Sequence, residues 1–501
     1  MRLPLVRMIE DINADRTARI LIAVILGYTT LTAAFASSIF SAATGAVAAQ
    51  FGVSTEVGLL GLTLYVLGFA TGPILWAPLS ELKGRKLPLM ASMFGFSIFS
   101  IGSAVGKDLQ TVLICRFFGG VFASCPLAVV AAVFSDMFNN RTRGLAITVF
   151  SMTVFTGPLL APFIGGFTVM NPNLGWRWTE YFVAIMGFLA LGLNLIFLQE
   201  TYPPIVLVDK ASELRRRTQN WGIHAKQEEI EVDFRELVTK NFSRPLRLLV
   251  TEPIVLLLSI YMAFIYGLLY LFLTAYPIVF QQIHGMNEGV GGLPYFGMVL
   301  GMLIAGAYIV FTQKDYNKKL AANNGVTVPE WRLPPAIMGG ISFTIGLFWF
   351  GWSGYRRDIH WIAPTLSGLL TGFGLLSIFL QCLNYLVDAY LMLYVLSCQF
   401  SNIPKLTPSL SSAASAIAAN TFLRSIAGGV FPLFSIYMFK ALGVNWAGTL
   451  LGFVALVLAP IPAIFWKYGD RIRARSKFAP TMPKMPMVVD DSGESGEMKN
   501  E

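Results

Sequence analysis

The sequence predicts an all-α membrane protein with twelve transmembrane helices in two six-helix halves. Three observations predict it. The 501 residues are 55% hydrophobic and only 13% charged, against roughly 25% charged for an ordinary soluble chain. The apolar residues gather in long runs, each near the roughly 20 residues that span a hydrocarbon core about 30 Å thick. Lysine and arginine fall in alternate connections between those runs, as the positive-inside rule requires.

The first six runs cover 20–42, 57–79, 88–106, 111–134, 144–169 and 179–199. A polar, mixed-charge linker, 200–252, follows them. It reads either as one or two short amphipathic helices on the inner membrane surface or as an unstructured tether. The second six cover 253–275, 290–312, 334–353, 361–387, 411–438 and 445–467. Residues 1–19 precede the first half (20–199), and a charged tail, 468–501, expected to be disordered, follows the second half (253–467). With both termini cytoplasmic, 30 of the 37 Lys and Arg lie on the inner side, and five (Lys107, Arg177, Arg356, Arg357 and Lys440) lie outside. The remaining two, Arg116 and Arg424, fall within spans.

Composition also removes function classes. The net charge of +9 is spread over loops that face anionic lipid, so no nucleic-acid partner is expected. The four cysteines (Cys115, Cys125, Cys382, Cys398) and three histidines (His224, His284, His360) have spacings that suit neither a disulfide framework nor zinc. No metal and no cofactor are expected. The N-terminus lacks a short apolar core before a small-residue site, which argues against a cleaved signal peptide. Neither HExxH nor GxxxxGK[ST] occurs, so neither that enzyme class nor direct ATP use is supported. Two six-span halves suit a secondary transporter, whose site lies at mid-membrane between the repeats.

Between spans 2 and 3 stands GPILWAPLSELKGRKLPL. Gly84 permits a tight turn, and Arg85 and Lys86 can pair with an acid or cap helix ends. Such pairs can latch one conformation; the alternative is simple positive-inside anchoring. Span 4 holds Arg116 in CRFFGGVFASCP, a charge that costs several kcal/mol in the bilayer unless paired or wetted. The alternative is that it snorkels to the outer interface. Span 5 reads FTGPLLAPFIGGF. There Gly157, Pro158, Pro162, Gly165 and Gly166 allow a kinked helix to pack closely on its neighbours.

Polar residues inside spans are candidates to line a substrate path. They are Tyr28, with Thr29 and Thr32, in span 1; Tyr266, with Tyr261 and Tyr270, in span 7; Gln381 and Asn384, with Tyr385, in span 10; and Asn420 and Arg424 in span 11. Each could equally be helix–helix glue, and Arg424 could pair with Asp388. Glu56 and Glu180 are expected near the outer surface. Few embedded acids and 13% aromatic residues suit an uncharged, lipophilic or aromatic substrate better than a polyamine.

These motifs resemble the major facilitator superfamily. Gly72, Glu81, Gly84, Arg85 and Lys86 stand at its loop signature, with Glu81 where bacterial relatives have Asp. Arg116 matches an arginine that the resemblance links to proton coupling. Pro162, Gly165 and Gly166 match its antiporter motif, with Ala161 in place of the first glycine. The segments LGWRWTEYFVAI, NYLVDAY and AANTFLRSIAGGVFPLF are similar to the fungal twelve-span drug:proton antiporters, a group that exports cercosporin-like toxins, fluconazole, benomyl and polyamines. The resemblance runs from about 20 to 470. It implies the major facilitator fold and a monomeric, proton-coupled efflux carrier of the cell membrane, exporting a small lipophilic toxin, metabolite or antifungal drug. Nutrient uptake by symport and polyamine export are the alternatives. One stretch, LYVLSCQFSNIPKLTPSLS near 393–411, departs from the group. It is expected to be an added cytoplasmic loop or a translated intron.

Overall fold

In the computed structural model, residues 16–138, 140–229, 234–323, 327–399 and 407–475 are described. Among them there is no strand. The first half contains α1 (Arg16–Phe51), α2 (Thr55–Leu82), α3 (Lys86–Val105), α4 (Leu109–Met137), α5 (Asn140–Met170) and α6 (Arg177–Phe197). Two helices follow, α7 (Pro203–Thr218) and α8 (Phe234–Thr251). The second half contains α9 (Pro253–Tyr276), α10 (Tyr295–Ala322), α11 (Pro334–Gly354), α12 (Ile362–Gln399), α13 (Thr407–Leu458) and α14 (Pro460–Arg475). A π-helical segment, Pro277–Ile283, extends α9.

Among the described residues, eleven helical segments are long and apolar enough to cross a membrane. The last of them, Ser415–Arg473, has 59 residues. At about 1.5 Å per residue it is far too long for one crossing. Gly443, at φ +75°, breaks α13 there, so the segment serves as the eleventh and twelfth crossings. A left-handed φ of this kind suits glycine. Ser54 and Asp108 cap α2 and α4, each side chain accepting a backbone N–H three residues on. This satisfies donors that a helix start leaves open.

The chief pairings are α1 on α5, α2 on α4, α9 on α13, and α11 on α12. Apolar side chains such as Ile98, Ile185, Ile196 and Val457 stay exposed, as lipid-facing residues do. α9 differs, since every residue from Tyr261 to Tyr276 is buried. A helix apolar all round belongs inside, and α9 lies against α13, α12 and α1.

Two sequence expectations change here. α12 continues to Gln399, so the stretch beginning near 393 starts as helix rather than loop. Residues 400–406 lie outside the described residues, and a helix resumes at Thr407. The tail expected from 468 is helical to Arg475, because Arg473 is buried and paired with Glu330. Residues 476–501 lie outside the described residues, as do 1–15. The linker holds α7 and α8, whose Pro245 and Leu248 are buried.

Candidate functional site

Two faces of the bundle are distinguished below. The basic face carries the α2–α3 turn, and the far face carries the α1–α2 turn. At the α2–α3 turn, Gly84 has φ +85°, and a side chain there would collide with the Glu200 carboxylate. That carboxylate accepts the backbone N–H groups of Arg85 (2.9 Å), Lys86 (3.1 Å), Thr201 and Tyr202. The Arg85 side chain donates to Asp136 at 3.2 Å and to Ser80 at 2.9 Å, and it lies over the Tyr202 ring. Burial raises the Tyr202 phenol above its ordinary range, so the ring meets Arg85 uncharged. The acid paired with Arg85 is thus Asp136 at the end of α4. Glu81 stands exposed beside a cleft between α2 and α13 that Pro245 and Phe422 also line. Gly72 lies away from the turn, in close packing of α2 on α4 against Ser124 and Val121.

The second half repeats the device. Arg332, before α11, donates to Asp388 at 3.0 Å, lies 3.7 Å over the Tyr316 ring, and donates to Gln313. Asp388 is therefore engaged by Arg332, and the expected alternative of a pair with Arg424 does not form. Glu330 next to it holds Arg473. Sequence reading overlooked Asp136, Glu200, Glu330, Arg332 and Arg473. A signal existed: Arg85-Lys86-Leu87-Pro88 and Arg332-Leu333-Pro334 stand at matching places in the two halves, as do Asp136 and Asp388.

Arg116 does not snorkel. It is 2% exposed, and Glu180 beside it is 1% exposed. Their ion pair is 3.1 Å long. Arg116 also donates to the carbonyls of Gly61 (3.1 Å) and Ala36 (3.0 Å) and lies over the Tyr65 and Phe40 rings at 4.4 and 4.8 Å. Glu180, expected at the outer surface, is instead in the packed interior of the first half.

In α5 the small residues serve close contacts. Gly157 faces Phe35 N and Leu31 O of α1 at 2.9 and 3.1 Å from a would-be side chain, and Gly165 faces Ile39 O at 3.0 Å. The carbonyl of Pro158, freed because Pro162 has no N–H to give, accepts Ser38 Oγ at 2.8 Å. Buried Ala161 keeps the motif tight. Gly166 lies on the backbone of Glu288 and Gly289, in the second half at the far face. Deeper in the bundle, Thr63 of α2 donates to the carbonyl of Gly429 in α13 at 2.9 Å.

At the centre the halves meet around Arg424. Its guanidinium lies 5.3 Å from the Tyr266 ring and 5.0 Å from the Phe379 ring. Phe155 of α5 meets Phe379 edge-on at 4.6 Å and Tyr266 at 6.3 Å. Tyr266 approaches Tyr270, whose hydroxyl donates to Ser37 of α1 at 2.8 Å. The Arg424 Nε is buried with no hydrogen-bond partner, and among the described residues no carboxylate pairs with Arg424.

The other expected path residues lie elsewhere. Tyr28 donates to the Met186 carbonyl, 3.4 Å away in α6. Gln381 is buried with its Oε1 unpartnered; it sits one turn from Ser377, which packs on Gly339 of α11. Asn384 is half-buried on the same helix. Asn420 donates to Ser259 and Met262 of α9. Sequence reading missed Phe155 and Phe379, since phenylalanines fill every span and only their position sets these two apart.

Comparison with known proteins fits this geometry. Residues 26–395 match the description of the Major Facilitator Superfamily. An uncharacterized transporter of Schizosaccharomyces pombe is 50% identical over 466 residues, covering 93% of this chain and 83% of the relative. The major facilitator superfamily multidrug transporter FLU1 of Candida albicans is 46% identical over 468 residues, 93% of this chain and 74% of the relative. The multidrug transporter TPO1_2 of Candida glabrata is 46% identical over 472 residues, 94% and 78%. Among solved structures, the proton:xylose symporter XylE bound to 6-bromo-6-deoxy-D-glucose superposes with a TM-score of 0.61 at 17% identity, covering 90% of this chain and 95% of that one. At that identity the likeness concerns the fold.

Proposed function

The chain belongs to the Major Facilitator Superfamily, and on that basis we propose that it is a proton-coupled efflux transporter of the cell membrane. It exports a small, largely apolar compound, such as a toxin, a secondary metabolite or an antifungal drug. The observation that carries this reading is the aromatic cluster between the halves, where Phe155, Tyr266 and Phe379 meet. Such rings suit flat apolar bodies with few polar anchors. Relatives named as multidrug transporters support the same direction.

In this reading the halves 20–199 and 253–467 rock about the aromatic cluster, and the 200–252 segment joins them on the cytoplasmic face, where both termini also lie. The Gly84–Arg85–Lys86 turn, with Asp136 and Glu200, latches the state closed at the far face. The small residues of α5, from Gly157 to Gly166, form the outer seal. Arg116 with Glu180 is the proton-coupling pair: a proton arriving at the carboxylate cancels its charge and frees the guanidinium. Substrate leaves as protons enter, and one chain suffices.

Purified protein in proteoliposomes tests this. An imposed proton gradient should drive a drug in the direction opposite to the protons. Drug moving with the protons would replace export by uptake symport. Arg116→Ala should abolish this flux while insertion into the membrane persists.

A further inference from the structure

The cluster contains one feature that an exporter of neutral compounds does not need. Arg424 sits beside its rings with a full positive charge, since a guanidinium cannot shed its proton in a protein. An arginine in a membrane interior costs several kcal/mol unless something compensates it. Arg116, in the first half, is compensated by Glu180, two carbonyls and two rings. Among the described residues, Arg424 has the rings of Tyr266 and Phe379 but no ion pair; each arginine has one side-chain nitrogen without a hydrogen-bond partner. Two ring contacts of about 0.5–2 kcal/mol each fall short of an arginine's cost in the bilayer. Arg424 is half-buried, so its guanidinium stays open to water or to a ligand that brings the missing counter-charge.

We propose that Arg424 is the anchor for a carboxylate on an aromatic substrate. The inference deepens the export reading and rests on it. A planar guanidinium matches a carboxylate through two parallel hydrogen bonds, a geometry that neither a lone hydroxyl nor an amine reproduces. The rings place the rest of the molecule. Phe379 and Tyr266 hold the guanidinium on one side, and Phe155 presents a ring from the opposite half. A carboxylate at Arg424 therefore puts its aromatic body against both halves at once. Contact with both halves is what an alternating carrier needs from its cargo. Gly428, one turn on from Arg424, leaves Tyr266 and Tyr270 room to lie flat against α13. The Tyr270–Ser37 hydrogen bond ties the same wall to α1. A polyamine meets the wrong charge here.

The test compares two probes of nearly equal shape, 2-naphthoate and its neutral amide 2-naphthamide. Binding to the purified full chain in lipid nanodiscs is measured by calorimetry at neutral pH. Wild type should bind naphthoate about ten-fold or more tighter than naphthamide, the scale of a charge-assisted pair. Arg424→Gln should lose that preference and keep its naphthamide affinity. Arg424→Met removes the same charge, and reports in its place if the Gln variant does not fold. Arg424→Lys keeps the charge and should keep part of the preference. Equal affinities in wild type, or a preference that survives the loss of Arg424, would overturn the assignment. Efflux of fluconazole and of naphthoate from cells that express the wild-type protein is read separately. Efflux without a naphthoate preference sinks only the anchor. A naphthoate preference without efflux of either compound sinks the export reading and leaves the anchor standing.

Discussion

The two arginines within the spans lie in different halves and in opposite electrostatic conditions. Arg116 is sealed among α1, α2, α4 and α6 with its counter-charge in place. Arg424 stands half-buried where the halves meet, with rings but, among the described residues, no counter-charge. The same residue type thus serves two purposes. In the first half the charge belongs to the protein's own structure, and in the second it is left for a ligand. Removing groups around each arginine is the direct way to break this contrast.

The largest effect is expected from Glu180→Gln. It strands Arg116 in a site 2% exposed, and removing one partner of a buried pair costs about 3–5 kcal/mol. The variant should lose most of its folded yield, measured as the monodisperse peak after detergent extraction. Arg116→Ala should be milder. A carboxyl left alone can be neutralised by a proton, whereas a stranded guanidinium cannot. Equal yields for the two variants would show that the pair is not the compensated centre described here.

Gly84→Ala comes next. It forces a side chain into both a left-handed φ and the Glu200 carboxylate, a strain of about 1–3 kcal/mol. The four backbone donors on Glu200 would be pushed apart. Transport turnover should fall several-fold in vesicle flux while substrate affinity changes little. Weaker affinity at unchanged turnover would count against a latch.

The crossings were legible in the sequence because lipid imposes a length and an apolar composition on each of them. So were the tight turn at Gly84 and the cost of Arg116 and Arg424, since both follow from residue type alone. Partners were not legible. Asp136 is 51 residues from Arg85 and Glu200 is 115 away, and only helix packing brings them together. Glu180 was misplaced for a related reason: hydropathy locates a residue along the membrane normal, not whether it points inward. Phe155 and Phe379 carried no signal among 39 phenylalanines. The helical start of the 393–411 stretch was missed because its polar composition hides the continuation of α12.

A smaller effect tests whether the halves are equivalent where they do repeat. Asp136→Asn and Asp388→Asn each remove the acid from a partly exposed pair near the basic face. Such pairs contribute about 0–1 kcal/mol, so melting temperatures in detergent should move little. Flux should slow in both variants, because each pair ties a loop of one half to its α4 or α12. A defect confined to Asp136→Asn would mean that only the first half latches.

The smallest stability change is expected at Arg424 itself, and it is the sharpest test of the contrast. Removing an uncompensated, half-buried charge should not destabilise a protein, since replacing charge in the interior with neutral side chains is often neutral or stabilising. Arg424→Gln should therefore melt at or above the wild-type temperature in the absence of ligand, whereas Glu180→Gln melts far below it. Adding naphthoate should reverse the order at Arg424. Ligand binding to the folded state raises its stability in proportion to affinity, so wild type should gain and Arg424→Gln should not. If the unliganded Arg424→Gln variant collapsed as Glu180→Gln does, Arg424 would be a structural charge with a partner in the fold, and the asymmetry between the halves would disappear.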